Sequence, residues 1–175
     1  MAISLTPSPV GAAGLPFSLW HNPATMANTF TNLLFHIVFS TKHRTPFIRE
    51  PLRERLYGYM VGILREEGGI LLEIGGMPDH VHLLARLKAD CSVAEAVRTI
   101  KSGSSKWVHQ TFPERADFAW QTGYAAFSVS ESQVGAVRRY IKNQEEHHAR
   151  LSFKDELIGL LQKHGIEFDE RYLLD

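Results

Sequence analysis

The order of hydrophobic patterns along the chain predicts an α+β fold. Three observations predict this class: apolar and β-branched runs typical of strands, apolar residues at helical spacing between them, and capping signals where helices begin. In chain order the elements alternate as βαββαβ, and further helices follow.

The first half of this pattern contains two strands and the helix between them. Thr31–Thr41 (TNLLFHIVFST) is apolar and β-branched, as in a strand of a well-covered sheet. Pro51–Glu67 reads as a helix, because Pro51 suits a first helical turn and Gly68-Gly69 provides a stop. Ile70–Ile74 is predicted to be a short strand, and Gly75–Asp79 a turn.

The second half repeats the strand-and-helix pattern and adds helices. His80–Leu87 (HVHLLARL) is predicted to be a third strand, and Phe118–Val129 a fourth. Ser92–Glu95 is a capping box that opens a helix ending near Gln110. A second capping box, Ser130–Gln133, opens a helix that reaches about His148.

Leu151–His164 is a last, short helical segment. The complete order predicts a ferredoxin-like (βαββαβ) four-stranded antiparallel sheet with helices and a C-terminal helix that carries Tyr140. The first and third strands should lie in the middle of this sheet.

The composition excludes several classes of protein. The 175 residues are 44% hydrophobic, which is enough for one domain with a real core. No apolar run is long enough to span a membrane. Cys91 is the single cysteine, which excludes an intrachain disulfide framework and fits a reducing cytoplasm.

The zero net charge conceals two opposed regions. Residues 36–144 hold 15 basic and 11 acidic residues, whereas residues 145–175 hold 4 basic and 8 acidic ones. The first 25 residues hold four of the eight prolines and show no strand or helix period, so we predict a flexible extension at residues 1–27, ahead of the main domain at residues 28–150 and a helical tail at residues 151–175. If the basic region binds a nucleic acid, the acidic tail should either lie away from it or screen its path until the substrate arrives.

His80 and His82 give the strongest chemical signal. Residues i and i+2 of a strand point to the same face, so these two imidazoles could share one metal ion. The alternative is a pair of histidines packed on a half-exposed sheet, because H-x-H is a short motif.

Tyr140 and Gln144 give the second signal. At i, i+4 spacing they stack on one face of a helix, where Gln144 can offer a carbonyl oxygen to a metal and Tyr140 can act as a nucleophile beside it. The alternative is a tyrosine that covers the core and a solvated glutamine. Tyr124 competes as nucleophile but lies on a predicted strand without such a partner.

Basic and polar residues near these segments are candidate DNA contacts, since cations and hydroxyls bind phosphate oxygens. An ordinary solvated surface is the alternative. The candidates are Lys42, Arg44, Lys101, Ser104, Lys106, Arg138, Arg139 and Lys142.

Other polar residues receive structural interpretations. His147 and His148 are read as helix caps or surface residues, and His36 as a packed, hydrogen-bonded histidine. Asp79, beside His80, could orient that imidazole or serve only the turn.

Together these segments resemble the single-tyrosine HUH transposases, of the insertion-sequence two-hundred type and their REP-associated tyrosine transposase relatives. The match covers residues 28–173. Its segments are TNLLFHIVFSTKHRTPFI, GGMPDHVHLLARL, KSGSSKW, FSVSESQVGAVRRYIKNQEEHH and FKDELIGLLQKHGIEFDERYL.

The resemblance implies a transposase that cleaves and rejoins hairpin-bearing single-stranded DNA through a 5′-phosphotyrosine intermediate. Tyr140 matches the nucleophile, and His80, His82 and Gln144 match the ligands of a divalent ion, Mg²⁺ or Mn²⁺. The resemblance also implies a homodimer, in which the tyrosine helix of one subunit can lie over the histidines of the other subunit.

Two other functions remain open from the sequence. One is a non-cleaving protein that binds palindromic repeats. The other is a metal-dependent hydrolase of small phosphoesters, although two imidazoles and one amide suit a clamp on phosphate better than a hydroxide generator.

Overall fold

The strands and helices follow the predicted order. The computed structural model describes residues 30–173, so the predicted extension at residues 1–27 lies outside the described part of the chain. The elements are β1 (Leu33–Ser40), α1 (Leu52–Glu66), β2 (Ile70–Met77), β3 (His80–Leu87), α2 (Val93–Thr111), β4 (Ala125–Ser128), α3 (Val134–Lys142), α4 (Gln144–His148) and α5 (Phe153–Lys163). The strands pair antiparallel in the order β2-β3-β1-β4, which confirms the predicted sheet with its first and third strands at the centre.

The two faces of the sheet are covered by different helices. One face, the packing face, meets α1 and α2 in the main hydrophobic core. Its side chains on the central strands are Ile37, Phe39, Val81, Leu83 and Ala85. The opposite face, the site face, carries the intervening residues His36, Val38, Ser40, His80 and His82.

Two glycines extend β2 beyond the predicted strand. Gly75 and Gly76 form strand pairs with His82 and Val81 rather than a turn. A Cβ on Gly75 would lie 2.5 Å from the backbone oxygen of Ile141, so this glycine lets α3 approach the sheet closely. Gly76 has a φ of 144°, which favours glycine.

The predicted helix from Ser130 to His148 is divided. A short 3₁₀ turn precedes α3, and Asn143, with φ −98° and ψ 22°, separates α3 from α4. The predicted capping box at Ser130 does not form, because the Ser130 hydroxyl pairs with that of Ser132. Ser92, in contrast, accepts a hydrogen bond from the Glu95 backbone, as predicted.

Helix α5 packs against the site face. Phe153, Leu157 and Leu161 form a second apolar cluster with Val38 and Phe127. The fourth strand is shorter than predicted, since it spans only Ala125–Ser128. No helix among the described residues is long and apolar enough to cross a membrane.

Candidate active site

His80 and His82 project from β3 into the interior of the site face. Their exposed fractions are 1% and 0%, so neither is a half-exposed surface histidine. Each has a partner on its Nδ1 atom: Asp79 Oδ1 lies 2.8 Å from His80 Nδ1, and His36 Nε2 lies 3.0 Å from His82 Nδ1. These contacts orient both rings so that the Nε2 atoms face the same region.

Arg44 supports this arrangement from the segment after β1. It donates to Asp79 at 2.6 Å, and its guanidinium lies 5.2 Å from the centre of the Phe153 ring. Burial works against the charge of Asp79, but hydrogen bonds from His80 and Arg44 outweigh it and lower its pKa to about 2. Asp79 therefore orients His80 as an ionised carboxylate, and Arg44, a candidate DNA contact, is engaged within the site.

Tyr140 and Gln144 reach the same region from α3 and α4. The ring centre of Tyr140 lies 5.9 Å from that of His82, so a single chain brings the tyrosine next to its own histidines. Gln144 is 1% exposed. It is therefore not the solvated glutamine of the alternative interpretation.

Glu156 on α5 joins these groups, although no sequence motif indicated it. One carboxylate oxygen, Oε1, accepts hydrogen bonds from the Tyr140 hydroxyl and, at 3.1 Å, from Gln144 Nε2. The other, Oε2, lies 3.4 Å from His82 Nε2 and 3.8 Å from His80 Nε2. Burial opposes the charge of Glu156, yet the neighbouring His82 and the hydrogen bond from Tyr140 hold its pKa well below the usual range.

His148 was predicted to be a cap or a surface residue. It lies in the last turn of α4, but its side chain is 7% exposed and so is not a surface group. Its Nε2 atom lies 3.0 Å from Glu156 Oε2. Its Nδ1 atom donates to the backbone oxygen of Leu151 at 2.8 Å. His147 is more exposed, at 33%.

The site contains a concentration of buried polar atoms without hydrogen-bond partners. Within residues 30–173, such atoms occur on Tyr57 and Arg86 and on six members of this site. Those six are His80 Nε2, His82 Nε2, Gln144 Oε1, His147 Nε2, His148 Nε2 and Glu156 Oε2. Buried polar groups are normally satisfied, so this histidine and glutamate cluster is compatible with a metal ion.

Burial also keeps the rings of His36 and His82 neutral. It lowers the pKa of His36 to about 3 and lowers that of His82 as well. Burial, together with the Glu156 carboxylate, raises the pKa of Tyr140 above its ordinary value of 10. In the DNA-free protein the phenol is therefore protonated.

The candidate DNA contacts have different surroundings. Ser104 is buried and accepts a hydrogen bond from Trp120 Nε1 at 2.9 Å, so it lacks the surface that a direct DNA contact needs. Lys101 donates to the backbone oxygens of three residues between Gln121 and Gly123. Arg138 and Lys142 lie near Glu73.

Several candidate DNA contacts lie on the surface. The exposed candidates are Lys42, Lys106, Arg138, Arg139 and Lys142. Tyr124, the competing nucleophile, is 42% exposed.

Comparisons with known proteins point to one group. The family model described as "Transposase IS200 like" matches residues 29–144. The ISDra2 transposase TnpA of Deinococcus radiodurans is 23% identical over 119 residues, which cover 65% of this chain and 85% of that protein. The transposase for insertion sequence element IS200 of Salmonella typhimurium is 25% identical over 127 residues, or 70% of this chain and 83% of that one.

Two solved structures share the fold. A crystal structure of a transposase candidate from Deinococcus radiodurans R1 has a TM-score of 0.57 and 24% identity, and the match covers 69% of this chain and 96% of that one. A REP-associated tyrosine transposase bound to a REP hairpin has a TM-score of 0.55 and 12% identity, covering 73% of this chain and 76% of that one.

Proposed function

Because the chain belongs to the IS200-like transposase family, we propose that it binds hairpins in single-stranded DNA and cleaves and rejoins the strand through Tyr140. One observation carries the proposal. The Tyr140 hydroxyl and the Gln144 amide bind the same buried carboxylate, which in turn faces the imidazoles of His80 and His82. A phenol nucleophile and candidate metal ligands therefore share one small volume.

The proposed reaction is a transesterification. The Tyr140 oxygen attacks the phosphorus of a DNA phosphodiester, a bond forms between them, and the bond from phosphorus to the 3′ oxygen breaks. The products are a 5′-phosphotyrosine link and a free 3′-hydroxyl. Attack by another 3′-hydroxyl reverses the exchange and rejoins DNA, so no nucleotide cofactor is consumed.

The residues around Tyr140 support this role. Its proton has an acceptor in place, because the hydroxyl already donates to Glu156. The raised pKa of Tyr140 means that ionisation needs added positive charge nearby. A divalent ion held by His80, His82 and Gln144 would supply that charge and would polarise the phosphate. Mg²⁺ or Mn²⁺ is the expected ion, and imidazole ligands favour the softer Mn²⁺.

The surface beside Tyr140 suits a DNA strand. A cavity of about 500 Å³ is lined by Tyr140, Phe127, Ser130, Lys163 and His164 among others. Its aromatic lining suits stacking with bases, and its hydroxyl groups and Lys163 suit contacts with phosphate. The hairpin substrate rests on the family and on one structural relative that is bound to a REP hairpin.

The proposal includes a homodimer, which rests on the family resemblance. Because Tyr140 lies beside its own chain's histidines, we favour a site that is completed within one chain. Light scattering of the purified protein would measure the oligomeric state. Mixing Tyr140→Phe subunits with His82→Ala subunits would restore cleavage only if the tyrosine acts on the partner's site.

Covalent adduct formation tests the nucleophile. The protein is incubated with labelled single strands that carry a hairpin and a randomised flank, in Mn²⁺ or Mg²⁺. A denaturing gel should resolve a covalent protein–DNA band, and Tyr140→Phe should abolish the band while hairpin binding persists, because only the attacking oxygen is removed.

Tyr124→Phe is the matched control, since this exposed tyrosine should be dispensable. An adduct formed by Tyr140→Phe would contradict the assignment. Hairpin binding without any adduct in either ion would favour the alternative, a non-cleaving protein that recognises palindromic repeats.

A further inference from the structure

The histidines around Glu156 share an arrangement that extends beyond the ligands proposed above. His80, His82 and His148 each have the Nδ1 atom engaged: by the Asp79 carboxylate, by His36 Nε2 and by the Leu151 backbone oxygen, respectively. The Asp79 carboxylate and the Leu151 carbonyl can only accept, so His80 and His148 donate Nδ1–H to them, and His82 does the same in the tautomer that donates to His36. In these tautomers the Nε2 atoms of all three rings face one point and are available to bind a cation.

These nitrogen atoms face the Oε2 atom of Glu156, at 3.8, 3.4 and 3.0 Å from His80, His82 and His148. None of the four atoms has a hydrogen-bond partner. Buried polar groups that stay unsatisfied destabilise a fold. A cation among the four atoms would satisfy all of them by coordination.

The spacing also suits a metal ion. All four donor atoms lie within 4.8 Å of one another. A tetrahedral shell with ligand distances of ~2.0–2.1 Å has edges of roughly 3.3–3.4 Å, close to the separations from Glu156 Oε2. Side-chain adjustments of an ångström or less would close the shell.

We propose that His148 and Glu156 are metal ligands, together with His80 and His82, in the DNA-free protein. The inference rests on the proposed function for the first two histidines, and it adds one ligand from α4 and one from α5. Three imidazoles and one carboxylate suit Mn²⁺, Co²⁺ or Zn²⁺ better than Mg²⁺. Metal binding then ties α5 to the central strand β3, because Glu156 belongs to α5 and His80 and His82 belong to β3.

Cobalt binding tests this ligand set without any DNA. The full-length protein, freed of metal, is titrated with Co²⁺ while the visible absorption of the ion is recorded. Glu156→Gln, which keeps the side-chain size, and His148→Ala should each weaken Co²⁺ affinity by about tenfold or more, and each should alter the spectrum. His164→Ala, at the residue that follows α5 and outside the set, is the matched control, and circular dichroism confirms that each variant is folded.

Wild-type affinity and an unchanged spectrum in both variants, with binding lost in His82→Ala, would overturn the inference and leave the proposed function intact. A wild-type protein that binds no Co²⁺ would overturn it as well. Co²⁺ binding that both variants weaken, with no covalent DNA adduct, would instead contradict the proposed function and support this ligand set.

Discussion

The packing face and the site face of the sheet are buried to the same degree, yet they are built from opposite chemistry. Val81 and Leu83 on one face and His82 on the other are all 0% exposed, although they are consecutive residues of β3. The packing face is filled by apolar side chains, each of which stabilises the fold by about 1.5–3 kcal/mol when fully buried. The site face holds polar atoms that lack partners.

Burial alone therefore does not identify a structural residue, because equally buried residues on the two faces differ in their chemistry. A strand alternates its side chains between two faces, so a single segment can contribute both to stability and to chemistry. The apolar face stabilises a framework that keeps the unsatisfied polar face in place. The four predictions below test how separable these contributions are.

The largest expected effect on stability is at the packing face. Leu83→Ala should lower the free energy of unfolding by about 2–5 kcal/mol, because it removes buried apolar contacts and leaves a cavity. Urea denaturation measures the loss, and Val61→Ala, at an exposed position of α1, should change it by about 0.5 kcal/mol or less. If folded Leu83→Ala protein no longer bound Co²⁺, the two faces would not be separable.

Gly75→Ala should damage the site face more than the fold. The added Cβ would meet the Ile141 backbone at 2.5 Å, so α3 and Tyr140 must move. We expect a loss of stability of about 1–3 kcal/mol and a decrease of about 100-fold in the rate of adduct formation. Gly58→Ala in α1, where nothing lies within 4 Å, is the control. Full activity in Gly75→Ala would contradict the close approach of α3.

Ser104→Ala should affect stability and not DNA binding. It leaves the buried Trp120 Nε1 atom without its acceptor, at a cost of about 1–3 kcal/mol. Urea denaturation and hairpin binding are compared with those of Ser102→Ala, an exposed neighbour. Weaker hairpin binding with unchanged stability would instead make Ser104 a DNA contact.

The smallest effect concerns Lys101, whose pKa burial lowers to about 8. Between about pH 8 and the unfolded value of 10.5, the unfolded chain retains a proton that the native protein has lost. The free energy of unfolding should therefore rise with pH across this range relative to Lys101→Met. Because the side chain is partly exposed, the rise should be small. A difference curve that is flat between pH 7 and 10.5 would exclude this effect.

Local patterns predicted much of the fold. The bounds of β3, the pairing order of the sheet and the capped start of α2 follow from alternation and capping, which act over a few residues. The break at Asn143 was not predicted, because neither a proline nor a glycine marks it in the sequence. Gly75 was assigned to a turn, because its role depends on α3, which packs against it from far along the chain.

Local spacing linked only candidate site residues that are close in sequence, and the family resemblance alone joined the histidine pair to Tyr140 and Gln144. No local spacing connects Glu156 with His82, since α5 brings them together by tertiary packing. Two signals were nevertheless present. Glu156 follows Phe153 by three residues and so lies on the apolar face of its helix, where an acidic residue is unusual. His148 continues the four-residue spacing of Tyr140 and Gln144.

The position of Glu156 has a consequence for how the enzyme is made. In chain order, α5 follows every other group of the site, and the apolar side chains that hold it meet the sheet through Val38 and Phe127. A nascent chain that has reached Ala149 already carries the histidine strand and the tyrosine, but it lacks the carboxylate that joins them. Translation that stops before Phe153 would yield a protein that has the histidine strand and the tyrosine but lacks Glu156. The site is therefore completed only when α5 has been synthesised.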